Sequence, residues 1–245
     1  MIFTKVLKIL SLHIYGIFIS LLCRFSSLFG LSKQLNKIDL SLIQELRHKE
    51  IIDYILESKP LKETLILDIG CGRGEILKKL HGNGFLNLFG IDFIPREIDW
   101  AIFKHLDVEK LDENTFSDKF DIIILSEVLE HLENPAMALR KASQALKKDG
   151  MIIITIPNSM SIWERFNYLI TTNFKRYKKE QLNEFGHISV FTEATLSSLC
   201  QRASLKVEKN LGGIMFLDGF LFLNGRRVSN NFSYHSFYIF KTQNT

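Results

Sequence analysis

The chain has 245 residues, a net charge of +4, a hydrophobic fraction of 46% and a charged fraction of 24%. This length suits one large α/β domain with an appendage better than two full domains, and the composition is that of an ordinary globular protein. The charge is too small to indicate a nucleic-acid partner by itself. Cys23, Cys71 and Cys200 are widely spaced and form no CxxC pair. Their spacing argues against a disulfide framework or a thiolate metal site, and we expect a reducing, cytoplasmic compartment.

Residues 1–31 differ from the rest of the chain, because the stretch between Lys8 and Arg24 carries no formal charge and is mostly apolar. It is shorter than the roughly 20 residues that span a bilayer, and it lacks a small-residue cleavage site. We expect a membrane-associating helix that lies in the surface of a membrane, at the cytoplasmic face. A helix packed on the protein's own apolar surface and a true membrane span remain as alternatives.

The elements that follow alternate between helix and strand. Apolar residues at helical spacing predict an amphipathic helix over residues 40–58, which Pro60 ends. Four apolar, largely β-branched runs predict buried strands at residues 64–69, 88–92, 120–125 and 151–156. Helices are predicted after the first and the third of these strands, at residues 74–81 and 135–147. Such alternation indicates a parallel sheet covered on both faces. Between Asp92 and Asp107 there is room only for a short turn or helix and a brief strand at residues 101–105.

The C-terminal part of the sequence contains a basic run with aromatic residues, at residues 174–179. This run suits phosphate or base binding, contact with anionic lipid headgroups, or a solvated face. Residues 191–203 predict a helix with Thr192 as N-cap, and Thr195 at the third position falls short of a full capping box. Residues 205–210 and 236–241 predict the last two strands.

A glycine-rich motif stands where the first strand meets the next helix. Its pattern is AspxGlyxGlyxGly, with Asp68 followed by Gly70, Gly72 and Gly74. Glycines there let the backbone turn tightly and approach a ligand without an intervening Cβ atom. A lone motif of this kind is weak evidence, so the acidic residues that follow it decide the interpretation.

The positions of the carboxylates distinguish two cofactors. A dinucleotide places its pyrophosphate on the helix N-terminus, which favours an anion. S-adenosylmethionine (SAM) has no phosphate, and Asp68 can accept a hydrogen bond from its ammonium group. Asp92 ends the second strand, where it can bind ribose hydroxyls, and Asp107 can accept from the adenine amino group with Val108 beside the ring. A dehydrogenase is therefore the less favoured enzyme class.

A second cluster of polar residues follows the third buried strand, in the segment GluValLeuGluHis. In a helical turn, Glu127, Glu130 and His131 share a face, and His187 is a further candidate from downstream. Carboxylates with imidazole suit Mg²⁺ or Mn²⁺ and, less specifically, Zn²⁺. Two other interpretations stay open: His131 as a general base without a metal, and a structural role for the cluster.

Together these segments resemble the successive motifs of the class I SAM-dependent methyltransferases, and among them the group that includes ubiquinone-pathway O-methyltransferases. The resemblance implies a Rossmann-like, doubly wound α/β sheet of about seven strands in the order 3-2-1-4-5-7-6, with the last strand antiparallel. It implies a methyltransferase domain over residues 32–245 behind the apolar N-terminal helical extension, with a lid over the acceptor at about 158–190. The implied SAM-binding residues are Asp68, Gly70, Cys71, Gly72, Gly74, Asp92, Phe93, Asp107, Val108 and Ser126.

The Glu–His cluster is similar to the metal site of small-RNA 2′-O-methyltransferases. Glu127, Glu130, His131 and His187 would then bind the metal, and His131 with Glu127 would be catalytic. We expect O-methylation of a small or lipid-linked acceptor at a membrane surface, with nucleic acid not the expected partner. The alternatives are methylation of an RNA ribose and a non-catalytic SAM-binding module at a membrane.

Overall fold

The computed structural model describes residues 40–110, 119–174, 177, 186–213, 215–217, 220–222, 231 and 233–243. The expected membrane-associating helix at residues 1–31 lies outside these ranges, as does most of the basic run. Within the described residues, no helix combines the length and the apolar character that crossing a bilayer requires.

The centre of the fold is a seven-stranded sheet. Its strands are β1 Ile66–Ile69, β2 Leu88–Asp92, β3 Ile102–His105, β4 Phe120–Ser126, β5 Leu146–Pro157, β6 Leu205–Gly212 and β9 His235–Thr242. Across the sheet they lie in the order β3-β2-β1-β4-β5-β9-β6. Strands β1 to β5 pair in parallel, and β9 runs antiparallel to both β5 and β6. The predicted fold class, strand order and antiparallel last strand are therefore confirmed.

Helices cover both faces of this sheet. They are α1 Leu40–Glu57, α2 Glu75–Gly82, α3 Pro135–Ala145, α4 Ile162–Thr171 and α5 Glu193–Arg202. Along β4, alternate side chains point to opposite faces. Ile122 and Ile124 pack with α1 and α2, whereas Ile123 and Leu125 pack with α3 and α5. The unbroken apolar run of this strand follows from burial on both faces.

The second crossover contains no helix, which decides between the two expected forms of this segment. The chain runs from β2 to β3 through turns and bends. Trp100 in this segment packs against the core on one face of the sheet, and its indole Nε1 donates to the Gly74 carbonyl oxygen at 3.0 Å. Ile98 and Trp100 also close over Gly74, so that a Cβ atom there would lie 2.9 Å from the Ile98 side chain.

Three local features differ from the sequence prediction. Helix α3 ends at Ala145, and β5 begins at once with Leu146, five residues before the predicted strand. A short hairpin of β7 Met215–Leu217 and β8 Phe220–Phe222 is inserted between β6 and β9. At the start of α5, the Thr195 amide donates to Thr192 Oγ1, and Thr195 Oγ1 accepts from the Thr192 amide. This is a full reciprocal capping box, so the expectation of an incomplete one was wrong: a threonine hydroxyl reaches back as a Glu side chain would.

We predict that Thr192→Ala lowers the free energy of unfolding by about 1 kcal/mol, because it leaves the Thr195 amide in the first turn of α5 without its side-chain acceptor. Urea denaturation followed by circular dichroism measures the change. Gln201→Ala, at an exposed position on the same helix, is the control and should change stability by less than about half as much. Equal losses in the two variants would contradict a specific capping role.

Candidate cofactor and acceptor site

The glycine-rich loop follows β1 at the carboxyl edge of the sheet. Gly70, Gly72 and Gly74 have φ angles of 70°, 54° and 69°, in the left-handed region that favours glycine. The amides of Gly70 and Cys71 donate to the Ile91 carbonyl oxygen at 2.8 and 3.1 Å, which ties the loop to β2. A Cβ atom on Gly70 would lie 2.6 Å from Val128, whereas one on Gly72 would meet no atom within 4 Å. The Gly72 backbone therefore faces open space in which a ligand can approach closely.

A cavity of about 300 Å³ opens over this loop. It has the loop on one side and α1 on the other, and its lining residues are Gln44, Arg47, His48, Asp68, Gly70, Cys71, Gly72, Arg73, Glu75, Ile76, Arg96 and Ser126. Sequence reasoning missed the contribution of α1. The signal available in the sequence was that His48 and Glu50 stand among the apolar residues of this helix. In the structure both side chains are buried.

Asp68 lies at the floor of the cavity and is 2% exposed. Burial, and then the charge of Asp92, raise the pKa of Asp68 from its usual range to about 8. A buried carboxyl of this kind gains a partner when a cation arrives, because the cation stabilises the ionised form. The floor of the cavity is thus suited to bind an ammonium group.

Asp92 is held rigidly at the end of β2. Its Oδ2 accepts from the Gly72 amide at 2.8 Å, and its Oδ1 accepts from the Ile94 amide at 2.9 Å. Phe93, which follows it, is 52% exposed. The carboxylate therefore links the glycine loop to the second strand, at the point where the resemblance places ribose contacts.

The expected adenine-side residues lie further along the same edge. Asp107 Oδ1 accepts from the Glu109 amide at 3.0 Å, and Lys110 forms an ion pair with the same carboxylate at 3.1 Å. Val108 is buried in the core. None of Asp92, Phe93, Asp107 and Val108 is among the residues that line the cavity.

Helix α1 brings positive charge to the cavity. The Arg47 guanidinium lies 3.4 Å from the Glu127 carboxylate, which follows β4. Burial, and then the charges of Arg47 and Lys79, lower the pKa of His48 to about 4. His48 is consequently neutral near pH 7, and Arg47 provides the cation on this wall.

The second cluster brings together three of the four expected metal ligands. Glu130 is fully buried, and its Oε1 lies 4.0 Å from the Nε2 atoms of both His131 and His187. The amides of Ile188 and Ser189 donate to the Glu130 carbonyl oxygen at 2.8 and 3.0 Å, which fixes the later segment against the earlier one. All three potential ligand atoms lie within 4.8 Å of one another.

Glu127 does not join this cluster, in contrast to the expectation. The segment is a 3₁₀ turn, Leu129–His131, and not an α-helix, so the assumed helical spacing does not apply. Glu127 precedes that turn with a φ angle of 55°, and its carboxylate faces Arg47 instead. Ser126, the last residue of β4, lines the cavity and shares a 3.1 Å hydrogen bond with the Thr155 hydroxyl.

The hydrogen bonding of His131 assigns the role of each ring nitrogen. Its Nδ1 lies 3.2 Å from the Gly186 carbonyl oxygen, and because a carbonyl only accepts, Nδ1 carries the proton. In a neutral ring Nε2 then has a lone pair 4.0 Å from the Glu130 carboxylate. A proton or a cation between the two groups removes that repulsion.

Comparison with known proteins gives the family. A model described as a methyltransferase domain matches residues 42–210, which is more than half of the chain. The chain belongs to the class I SAM-dependent methyltransferases. SAM is accordingly the cofactor of the family to which this chain belongs.

The matches to individual relatives cover a smaller part of the chain than the family model does. The chain is 30% identical over 139 residues to the ubiquinone biosynthesis O-methyltransferase of Pelagibacter ubique, a match that spans 53% of this chain and 58% of the relative. It is 30% identical over 115 residues to the tRNA U34 carboxymethyltransferase of Helicobacter pylori strain G27, which spans 42% and 44% of the two chains.

Solved structures match the fold over more of its length. The crystal structure of magnesium protoporphyrin IX methyltransferase from Synechocystis, with bound SAH, has a TM-score of 0.58 at 12% identity. The match covers 88% of this methyltransferase and 94% of that chain. At this identity the likeness shows the fold alone.

We predict that ligand binding releases a proton from Asp68. With a pKa of about 8, the free carboxyl is mostly protonated at pH 7, and an incoming ammonium group stabilises the ionised form. Binding of S-adenosylhomocysteine at pH 7 should release a large fraction of a proton from this carboxyl, and the affinity should rise as the pH approaches 8. Calorimetry in two buffers of different ionisation enthalpy measures the release. Asp68→Asn should abolish it, and the same release from this variant would show that another group titrates.

Proposed function

We propose that this protein transfers the SAM methyl group to a hydroxyl oxygen of a small or lipid-linked acceptor. The observation that carries the proposal is the cluster of buried Glu130 with the imidazoles of His131 and His187. It lies in the turn after β4, and Val128 of the same turn packs on Gly70 of the glycine loop. Proton-accepting groups therefore stand beside the loop over which the cofactor would bind.

The cavity offers a complementary group for each end of the cofactor's amino acid. Asp68 at the floor would accept from the ammonium group, and the Arg47 guanidinium on the facing wall would bind the carboxylate. The Gly72 backbone leaves room for the methionyl part. Asp92 would bind the ribose hydroxyls, because each oxygen that accepts from a backbone amide retains a further lone pair.

The remaining assignments follow the same edge of the sheet. Cys71, Gly70 and Gly74 would complete the methionyl side, and Ser126 would close the cavity below the cluster. Phe93, Asp107 and Val108 would contact the adenine. Because the first four strands are parallel, their carboxyl ends lie at one edge, where ligands bind in such sheets.

The chemistry requires alignment and the removal of one proton. The sulfonium is already a strong electrophile, so the enzyme must place acceptor oxygen, methyl carbon and sulfur in line. The acceptor hydroxyl loses its proton as the new bond forms. His131 is suited to take that proton, because its Nδ1 is fixed on Gly186 and leaves Nε2 as the basic nitrogen.

The same three residues fit a divalent metal. With Glu127 turned away, the donor set is one carboxylate oxygen and two imidazole nitrogens, which Mn²⁺ or Zn²⁺ accepts more readily than Mg²⁺ does. A metal held there would lower the pKa of the acceptor hydroxyl. Glu130, His131 and His187 would hold it, and Glu127 would instead keep Arg47 on the cavity wall.

An apolar helix face favours a lipid-linked acceptor and a membrane surface. On α4, Ile162, Leu169 and Ile170 are 48%, 66% and 52% exposed. The basic sequence run at residues 174–179 follows this helix along the chain. Exposed apolar side chains next to lysine and arginine are typical of helices that lie on anionic membranes.

A tRNA nucleotide is the second candidate acceptor, because one relative is a tRNA carboxymethyltransferase. The basic run with its aromatic residues would then contact RNA. RNA binding weakens steeply with added salt, so salt dependence separates this acceptor from an apolar one.

We predict that Glu130→Gln lowers kcat by at least about 100-fold while the Kd for SAM stays within about twofold. The variant removes the charge that supports an imidazolium or a metal. Release of S-adenosylhomocysteine is measured with catechols that do or do not carry an isoprenoid chain, with EDTA or with added Mn²⁺. Glu133→Gln, an exposed site three residues away, is the matched control. A large rise in the Kd for SAM in Glu130→Gln would instead place the cluster in the cofactor site.

We predict that Leu169→Glu reduces binding of the full chain to phosphatidylglycerol vesicles by about tenfold, because it places a charge on the exposed face of α4. Vesicle co-sedimentation measures the binding. Leu61→Glu alters a leucine that is at least as exposed, 76% against 66%, at a position just after α1 and outside α4, and should leave binding unchanged. Equal binding by Leu169→Glu and the unaltered chain would contradict the proposed contact of α4 with the membrane surface.

A further inference from the structure

A buried carboxyl–imidazole pair connects the first described helix to the last strand. Glu50 of α1 and His235 of β9 are separated by 185 residues, and Glu50 Oε2 lies 2.6 Å from His235 Nε2. The two side chains are 3% and 0% exposed. The pair lies at the carboxyl edge of the sheet, because His235 pairs with Pro157 at the end of β5.

Neighbouring residues pack closely around this pair and restrict its movement. Gly213 abuts the imidazole so closely that a Cβ atom there would lie 2.5 Å from His235 Nε2. On the helix side, the Tyr54 ring packs on the Phe237 ring with a centroid distance of 5.7 Å. Among the described residues, Glu50 Oε1 and His235 Nδ1 have no hydrogen-bond partner. The single short contact between the two residues is therefore their principal polar interaction.

A buried pair of this kind contributes little net stability, because burying its two polar groups has a large desolvation cost. Removing two ionisable groups from water costs several kcal/mol per ion, and an apolar pair of similar volume is often equally or more stabilising. The apolar side chains of α1, such as Ile51 and Ile55, already supply packing against the sheet. Their attraction is not directional, so it selects which face of the helix is buried more than it sets the exact rotation of the helix about its axis. The directional 2.6 Å contact between Glu50 and His235 restricts that rotation further.

We propose that Glu50 and His235 are positioning residues for the cofactor cavity. Arg47 precedes Glu50 by three positions and so lies beside it along the helix. With Glu50 held on β9, α1 can present Gln44, Arg47 and His48 to the glycine loop and place Arg47 against Glu127. Rotation of the helix by a fraction of a turn would withdraw that wall. This inference rests on the proposed placement of SAM in the cavity, and it does not depend on the proposed acceptor.

The test compares cofactor affinity with stability in four variants. Glu50→Ala should raise the Kd for SAM and for S-adenosylhomocysteine by at least about tenfold, measured by calorimetry on the full chain. Glu50→Gln keeps an oxygen acceptor for His235 and should recover an affinity within about threefold of the unaltered protein. The control is Asp53→Ala, which breaks the exposed Lys49–Asp53 pair on the same helix and should leave the Kd unchanged.

The fourth variant deals with a loss of folding. Glu50→Ala leaves a buried imidazole without its carboxylate and can unfold the chain, whereas the double variant E50L/H235L removes both groups together. We expect this double variant to have a melting temperature near that of the unaltered protein and a Kd for SAM at least about tenfold higher. A folded double variant that binds SAM within twofold of the unaltered protein would overturn the proposal, because the pair would then be structural alone. So would equal Kd values for Glu50→Ala and Asp53→Ala.

Discussion

The hydrogen bond from the Gly72 amide to the Asp92 carboxylate joins the ends of the first two strands, and the cofactor cavity depends on it. A left-handed glycine can turn its amide toward the neighbouring strand while leaving open space on its other side. The Gly70 and Cys71 amides on the Ile91 carbonyl oxygen add two further links between the same strand ends. The loop is thus preorganised, and a ligand above it meets backbone whose conformation is already determined.

Two ionisable side chains of the cavity lining are suited to the two ends of an amino acid. The floor holds Asp68, whose pKa is raised to about 8 by burial and by Asp92, and the facing wall holds Arg47. An amino-acid zwitterion placed between them would meet a carboxyl and a guanidinium at opposite ends. The neutrality of His48, whose pKa is lowered to about 4, keeps a second positive charge off that wall. Burial therefore sets the electrostatics of the site as much as the identity of the side chains does.

The turn after β4 links this cavity to the Glu–His cluster. Ser126 lines the cavity, Val128 packs on Gly70, and Glu130 lies fully buried between two imidazoles. His187 arrives from a distant segment through the backbone bonds of Ile188 and Ser189 to Glu130. Cofactor binding and proton transfer would thus take place on adjacent parts of one short turn, and the acceptor would need to reach only that place.

The sequence by itself determined the elements whose signal is local. The strand bounds at residues 88–92 were predicted as observed, because an apolar run between turn residues defines a buried strand without knowledge of its neighbours. The glycine motif and the acidic strand ends identified the family for the same reason. The capping box at Thr192 and Thr195 was missed because the usual pattern has Glu or Gln at the third position, whereas here the Thr195 hydroxyl accepts from the Thr192 amide.

Only the tertiary structure decided which distant residues meet. Helical periodicity placed Glu127 with Glu130 and His131. In the structure Glu127 itself has a left-handed backbone conformation before the 3₁₀ turn, and its carboxylate faces Arg47. The contacts of α1 with the glycine loop, and of Glu50 with His235, join segments that no local pattern connects. Polar residues on a mostly apolar helix face indicate burial of charge but not its partner, since the partner depends on strand order and on the rotation of the helix against the sheet.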